Sequence, residues 1–290
     1  MPGWAVRVGT GPTRPAARLR AMPPPDSLTV VLPAYNEAER IGPALDELFG
    51  YLRRRGEQAR DGAPGAAGLP AHIDVLVVDD GSTDGTAALV AARPEAAPDA
   101  DIAGATLRVI TVPHGGKGAA VLVGMLAADS DVIVFADADM ATPPDQLPLL
   151  VEALVDHDVA LGSRIQPDGS DMRASQPGYR RLIGKVFHLF ASIWVVGPVK
   201  DTQCGFKGFT REAAHDLFGR QRITSIVFVV EIIFLARRRG DRIAIVPVRW
   251  EDRRGSRMRA RPGLAVRVAW DLFRIPLIHR GLGRRTARHS

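Results

Sequence analysis

The chain has 290 residues, 46% of them hydrophobic and 24% charged, enough for one large α/β domain with a sizeable core. A single cysteine, Cys204, excludes a disulfide framework and fits a reducing, cytoplasmic setting. The net charge of +6 is uneven: residues 1–25 carry +4, residues 252–290 carry +9, and the body, 26–251, is left at −7, so basic ends flank an acidic centre and point to an anionic partner, either nucleic acid or a membrane surface.

Residues 1–26 contain Pro, Gly and Arg but no apolar h-region, and read as a flexible basic arm and not as a secretory signal. Leu28 to Leu32 form a continuous apolar run of buried-strand type, ended by Pro33. Ile41, Leu45, Leu48, Phe49 and Leu52 then recur at helical spacing. After a Gly/Pro/Ala loop at 59–71 the pattern repeats: a strand at 73–78, an acidic turn, and a helix from about Asp84. "ATLRVITVP" is a third strand, followed by the turn "HGGKG" and another helix. "DVIVFADAD" (131–139) reads as a fourth strand, 143–157 as a helix with proline near its start, and "DVALGSRI" as a fifth strand. Buried-type strands alternating with helices predict an α/β fold with a mostly parallel, doubly wound sheet. In such sheets ligands sit beyond the carboxyl ends of the strands. That edge gathers Asp79, Asp80, the 114–118 turn, Asp137, Asp139, Ser163 and Arg164.

Two carboxylates one residue apart on an extended strand point the same way, repel, and resist ionisation. A divalent cation removes the conflict in Asp137-Ala138-Asp139, and Mg²⁺ or Mn²⁺ with carboxylate oxygens implies a diphosphate ligand as well. "DDGSTDG" alone is also a turn with Ser82 or Thr83 as a helix cap. "HGGKG" lacks the GK[ST] of a P-loop; its glycines allow a ligand close to backbone amides.

Together, "VVLPAYNEAERI", "VLVVDDGSTDGT", "HGGKGAAVLVGM", "VIVFADADMATPPD" and "VALGSRI" resemble the family 2 glycosyltransferases with the GT-A fold. "DTQCGFKGFTREAA", "VVEIIFLARRRG" and "VPVRWEDRRGSRM" are similar to the polyprenyl-phosphate branch, nearest to the dolichyl-phosphate glucosyltransferases. The resemblance covers roughly 28–258, which sets a GT-A domain at 27–258 between the basic arm and a basic amphipathic segment at 259–290. It implies that Pro33, Ala34, Tyr35, Glu37, Asp79, Asp80, Lys117, Asp137 and Ala138 bind the donor nucleotide. By the same resemblance Asp137 and Asp139 hold the metal, and Gln203, Cys204 and Gly205 stand at the junction of sugar and acceptor, with Glu231 below. Catalytic roles fall to Asp137, Asp139, Gln203 and Glu231, and the acceptor phosphate to Ser163, Arg164, Arg180, Arg181, Arg254, Ser256 and Arg257. Relatives carry an acid two residues before Glu231 where this chain has Val229, which counts against a second acid there.

The implied reaction is inverting transfer of a hexose, UDP-glucose being the expected donor, to a polyprenyl or dolichyl phosphate. A phosphate acceptor is already mostly ionised at pH 7, with its second pKa at about 6, and needs cations more than a general base. Residues 178–199 place Lys185, His188 and Ser192 on one side of a helix, and 262–280 place Arg267, Asp271 and Arg274 opposite Val266, Trp270, Phe273 and Leu277. An amphipathic helix with aromatics beside a basic tail is the pattern of an in-plane membrane anchor. No apolar run reaches the roughly 18 residues of a spanning helix, so the expectation is peripheral attachment at the cytoplasmic face. Alternatives are a guanosine-diphosphate-mannose donor, a soluble or polysaccharide acceptor, or a nucleotidyltransferase. A nucleic-acid binder is disfavoured by the acidic body and the lack of a recognition motif.

Overall fold

The computed structural model describes residues 23–61, 68–168, 170–172, 201–251, 253 and 262–281. Its strands are β1 Ser27–Ala34, β2 His72–Asp79, β3 Ala105–Thr111, β4 Val132–Ala136, β5 Val159–Ser163, β6 Phe206–Thr210 and β7 Ile243–Pro247. Its α-helices are α1 Ala38–Arg60, α2 Thr86–Ala91, α3 Lys117–Ala127, α4 Leu147–Asp156, α5 Arg211–Gly219, α6 Phe228–Arg239 and α7 Pro262–Ile278. The sheet order is β3-β2-β1-β4-β6-β5-β7.

Alternation along each strand divides the core between two faces of the sheet. Val31, Leu76, Val78, Ile133 and Phe135 pack against α3, α5, α6 and α7. Val30, Leu32, Val75, Val77, Val132 and Val134 pack against α1 and α4. Every apolar position that set the helical period of α1, Ile41 through Leu52, is buried.

The five expected strands are present, and the structure adds two. β6 runs antiparallel to both neighbours, with Ala136 opposite Phe206 and Ala160 opposite Gly208. β7 pairs parallel with β5. The reversal of β6 matters for the site: the residues before it, 201–205, arrive at the same edge as the residues after β4. The fourth strand is also shorter than its sequence suggests. It ends at Ala136, and Asp137 starts a turn closed by Met140 N–H donating to Asp137 O at 3.0 Å, with Met140 at φ 50. The two aspartates therefore converge through a turn and not by strand alternation. Nor do Ser82 and Thr83 cap α2, whose N-cap is Gly85.

Helix α7 departs from its two-faced reading. Asp271 is buried with Leu272, Ile275 and His279, while Trp270 is 59% and Phe273 49% exposed. Asp271 accepts from Ser225 Oγ at 2.7 Å and pairs with Arg274 at 2.9 Å, so the polar side of the helix is partly an inner side. The companion helix expected at 178–199 lies outside the described residues.

Phe209 is fully buried between Phe135 and Phe218, ring centroids 6.3 and 5.3 Å away. Phe209→Ala is expected to cost about 3–5 kcal/mol, read as a lowered urea midpoint with an unchanged m-value.

Candidate active site

Five loops meet at the carboxyl edge of β1, β2, β3, β4 and β5, joined by the segment leading into β6. Those after β1 and β2 are laced together. Asn36 N–H donates to Ser82 Oγ at 2.8 Å, Glu37 N–H to Thr86 Oγ1 at 2.9 Å, Ala38 N–H to Asp84 Oδ2 at 3.0 Å, and Thr83 N–H to Asn36 Oδ1 at 2.8 Å. Asn36 sits at φ 53, a conformation that a short polar side chain tolerates when it is tied locally. Polar turn residues with the composition of helix caps are thus cross-braces between two strand ends. Pro33 and Ala34 close β1, and Ala34 O accepts from Asp80 N–H at 2.8 Å.

Asp80 is buried, and its carboxylate accepts from Gly115 N–H at 2.8 Å and Gly116 N–H at 2.9 Å. His114 Nδ1 lies 2.8 Å from the same carboxylate, and its ring stacks on Tyr35 at 4.2 Å and 24°. Tyr35 is 42% exposed, which leaves an aromatic face open at the rim. Asp79 is fully buried and accepts from Ser82 N–H at 3.3 Å. The first two acids of the "DDGSTDG" motif therefore shape loops: one holds the glycine turn, the other holds its own.

Beyond that turn Lys117 donates to Asp137 Oδ1. Burial opposes the charge on Lys117, but Asp137, and behind it Asp139, outweigh this and raise its pKa, so the ammonium persists through the neutral range. Asp139 accepts from Ala141 N–H at 3.1 Å and lies 3.8 Å from Arg40. Burial, and then the charge of Asp137, push the Asp139 carboxyl above its ordinary range, the conflict expected of two acids that share one site. Glu37 grips Arg40 through both carboxylate oxygens, at 2.5 and 2.6 Å, and so aims it at Asp139. Ala138, between the two acids, is buried.

Gly205 closes the far wall. A Cβ at this position would stand 2.1 Å from Asp137 Oδ2, so only glycine leaves room for that carboxylate. Beside it, Gln203 Nε2 is buried with no hydrogen-bond partner among the described residues. Ser163 is buried, its hydroxyl bonded within its own turn to Ile165. Arg164 is clamped by Asp201 through Nε at 2.8 Å and Nη2 at 2.7 Å, and lies 5.5 Å from the centre of the Trp250 ring. Burial alone would weaken its basicity; the bonds and charge of Asp201 outweigh it and hold the pKa above the ordinary value.

Glu231 lies apart from these carboxylate contacts. It is fully buried, and its oxygens accept from Arg222 N–H at 2.9 Å, Ile223 N–H at 2.8 Å and His279 Nε2 at 2.7 Å. Arg180, Arg181, Arg254, Ser256 and Arg257 lie outside the described residues. Sequence reasoning placed the turn of His114 at this edge without giving the histidine a role, and missed Arg40 and Asp201. His114 opens "HGGKG" and Arg40 lies three residues past Glu37, so spacing offered a hint for both; Asp201 had only its place in "DTQCGFK". Among the described residues no third His, Cys, Asp or Glu joins Asp137 and Asp139 in a metal-ligating group.

Paired carboxylates, a glycine turn with an adjacent lysine and an exposed aromatic rim all stand at the carboxyl edge of a doubly wound sheet, where α/β enzymes of this type bind their ligands. The model of glycosyl transferase family 2 matches residues 29–218, and the chain belongs to that family. It is 35% identical over 259 residues to a dolichyl-phosphate beta-glucosyltransferase of Trichomonas vaginalis, covering 87% of this chain and 71% of the relative. The human dolichyl-phosphate beta-glucosyltransferase is 35% identical over 244 residues, covering 81% and 70%. Among solved structures, glucosyl-3-phosphoglycerate synthase of Mycobacterium tuberculosis with uridine diphosphate superposes with TM-score 0.56 at 22% identity, covering 87% of this chain and 80% of that one. The same enzyme with Mn²⁺, uridine diphosphate and glucosyl-3-phosphoglycerate gives 0.54 at 21%, covering 90% and 82%. These likenesses establish the GT-A type of fold.

One buried cation under the site is expected to leave a pH signature. Lys207 on β6 is 1% exposed and donates to Cys204 O. Burial pushes its pKa down to about 8, against the raising influence of Cys204 and Asp201. The folded value lies below the unfolded one, so the folded chain binds fewer protons between the two, and stability rises with pH across that window. Urea titrations from pH 7.5 to 10.5 are expected to show wild type gaining roughly 1–3 kcal/mol relative to Lys207→Met.

Proposed function

We propose that this protein transfers glucose from UDP-glucose to a dolichyl or polyprenyl phosphate, with inversion, at a membrane surface. The observation that carries the donor half is the cluster of Asp137, Asp139 and Lys117 enclosed by Gly205. The two carboxylates fit a divalent cation because they are held together at a cost, visible in the raised Asp139, which a bound cation would relieve. Asp137 and Asp139 would hold Mg²⁺ or Mn²⁺, which when bound supplies Lewis-acid stabilisation of charge on a departing diphosphate. Lys117 adds a permanent positive charge beside them. Tyr35, with His114 behind it, offers a stacking surface for a base, and the braced loops of Pro33, Ala34, Glu37, Asp79 and Asp80 frame it. The uridine and glucose assignment follows the sequence relatives.

The acceptor half rests on cations. Arg164, pre-oriented by Asp201 and Trp250, presents a guanidinium with little rotamer freedom left to lose, and Ser163 stands next to it. Arg180, Arg181, Arg254, Ser256 and Arg257 complete the proposed phosphate site. Gln203 offers its Nε2, unpartnered among the described residues, to the sugar or acceptor oxygen. No general base is assigned. The phosphate arrives ionised, and the Glu231 carboxylate is already occupied by two amides and an imidazole. The assay is transfer of labelled glucose from UDP-glucose to dolichyl phosphate in detergent with Mn²⁺. Asp139→Asn is expected to lower kcat at least about a hundredfold with the fold intact, in keeping with loss of a charge-stabilising group. Equal transfer to dolichyl phosphate without any divalent cation, or transfer only to a soluble acceptor such as 3-phosphoglycerate, would overturn the proposal.

Among the described residues no helix is long and apolar enough to cross a membrane. For attachment we assign the outer face of α7, where Trp270, Phe273 and Ile278 are exposed beside exposed Arg267 and Arg280. Aromatics at headgroup depth with arginines, each contributing on the order of 1 kcal/mol at an anionic surface, suit a peripheral anchor at the cytoplasmic leaflet. In flotation with phosphatidylserine-containing liposomes, the wild type is expected to rise with the lipid and a Trp270→Ser/Phe273→Ser double variant to stay at the bottom.

A further inference from the structure

The strongest unassigned feature is a polar seam that joins α7 to the donor turn through the segment 221–225. On one side of this segment, Glu231 accepts from the amides of Arg222 and Ile223 and from His279 just past α7, all within 2.7–2.9 Å. Ser225 Oγ donates to Asp271 of α7 at 2.7 Å. Glu231, Asp271 and His279 are all at most 5% exposed, so these are buried contacts between groups that would each be costly to leave alone. On the other side, Thr224 O accepts from Gly118 N–H at 3.0 Å, and Gln221 Nε2 donates to Gly118 O at 2.9 Å and to Ile223 O at 2.8 Å. A Cβ on Gly118 would stand 2.6 Å from Thr224 O, so the two backbones touch directly. Gly118 N–H is one of the otherwise unsatisfied donors at the start of α3, and Lys117 precedes it.

We infer that Glu231, His279, Asp271 and Ser225 are positioning residues: by docking α7 they hold segment 221–225 against Gly118 and so set Lys117 opposite Asp137. The inference rests on the donor-site reading above. Its physical basis is that every link is directional and short, so segment 221–225 cannot retreat from α7 without pulling on the α3 start. Buried polar pairs add little net stability over an apolar packing, but they fix one arrangement among several. That is the property a turn needs when it must place an ammonium beside a carboxylate. Glu231 thereby acquires a role that its sequence position suggested but did not define: it orders the donor side and does not take a proton.

The test uses the full chain without lipid. Amide exchange at 116–120 and UDP affinity with Mn²⁺ by calorimetry are measured for wild type, His279→Ala, His279→Gln and Ser225→Ala. His279→Ala is expected to speed exchange at 116–120 as well as at 221–225, leave β1 to β3 unchanged, and weaken UDP about five- to tenfold, the usual size of coupling between linked sites. His279→Gln keeps a donor for Glu231 and is expected to restore both. A merely structural histidine would lower Tm and move neither readout selectively. Should His279→Ala fail to fold, Ser225→Ala carries the same expectation with a smaller change. Faster exchange at 221–225 with 116–120 unchanged, or wild-type UDP affinity in the variants, overturns the inference. If the wild type binds no UDP, the donor reading fails, while the exchange data still decide whether α7 braces the turn.

Discussion

Negative charge crowded at one sheet edge is the constraint on which the rest of this molecule turns. Asp79, Asp80, Asp137, Asp139 and Asp201 all stand where parallel strands end or where β6 begins. They are not all answered in the same way. Backbone amides of turns serve Asp79 and Asp80, Lys117 serves Asp137, Arg164 serves Asp201, and Asp139 is left with one amide and a distant Arg40. The residue least compensated is the one whose carboxyl is pushed upward. That hierarchy separates acids that build loops from the pair available to a ligand.

The antiparallel entry of β6 makes this pair a site. With Ala136 opposite Phe206, the chain after β4 and the chain before β6 lie side by side, and Asp137 fits only because residue 205 has no side chain. Asp201, which pairs with the buried Arg164 after β5, and the buried Lys207 belong to the same segment. Burial also pushes the Cys204 thiol up to about 11, which keeps it inert. So many polar groups between β4 and β5 weaken the core locally. A chain that spends stability in this way has concentrated its exceptions around one function.

Much of this was legible beforehand. Continuous apolar strands alternating with helical periods gave the sheet, and the rule that ligands gather at carboxyl ends located the edge. What escaped was local or relational. "FKGFT" carries a lysine and a glycine, so it lacked the apolar run that marked the other strands, and nothing in its composition announces reversed polarity. "IAIVP" is short, partly exposed and ends in proline. Asp137 and Asp139 read as strand residues because alanine and aspartate continue the pattern, whereas the backbone turns at Asp137. Arg40, His114 and Asp201 act through partners 34 or more residues distant, except for the local grip of Glu37 on Arg40, and such pairings depend on which loops meet.

Helix α7 shows why periodicity alone misassigns a polar stripe. Arg267, Asp271 and Arg274 share a face on a helical wheel, yet Asp271 turns inward because Ser225 waits there, while Trp270 and Phe273 face out. A core helix would bury its aromatics and expose its acid. This one does the opposite, and both inversions have a use under the proposed function. The outward aromatics meet a surface that is itself apolar at depth, and the inward acid joins His279 in anchoring the helix to the loop behind Lys117. Under the proposed function one helix would thus touch lipid on one side and the donor turn's support on the other. An enzyme that must bring a water-soluble sugar nucleotide and a membrane-bound phosphate to the same edge needs a rigid connection between those two environments, and a helix clasped by buried polar contacts supplies it.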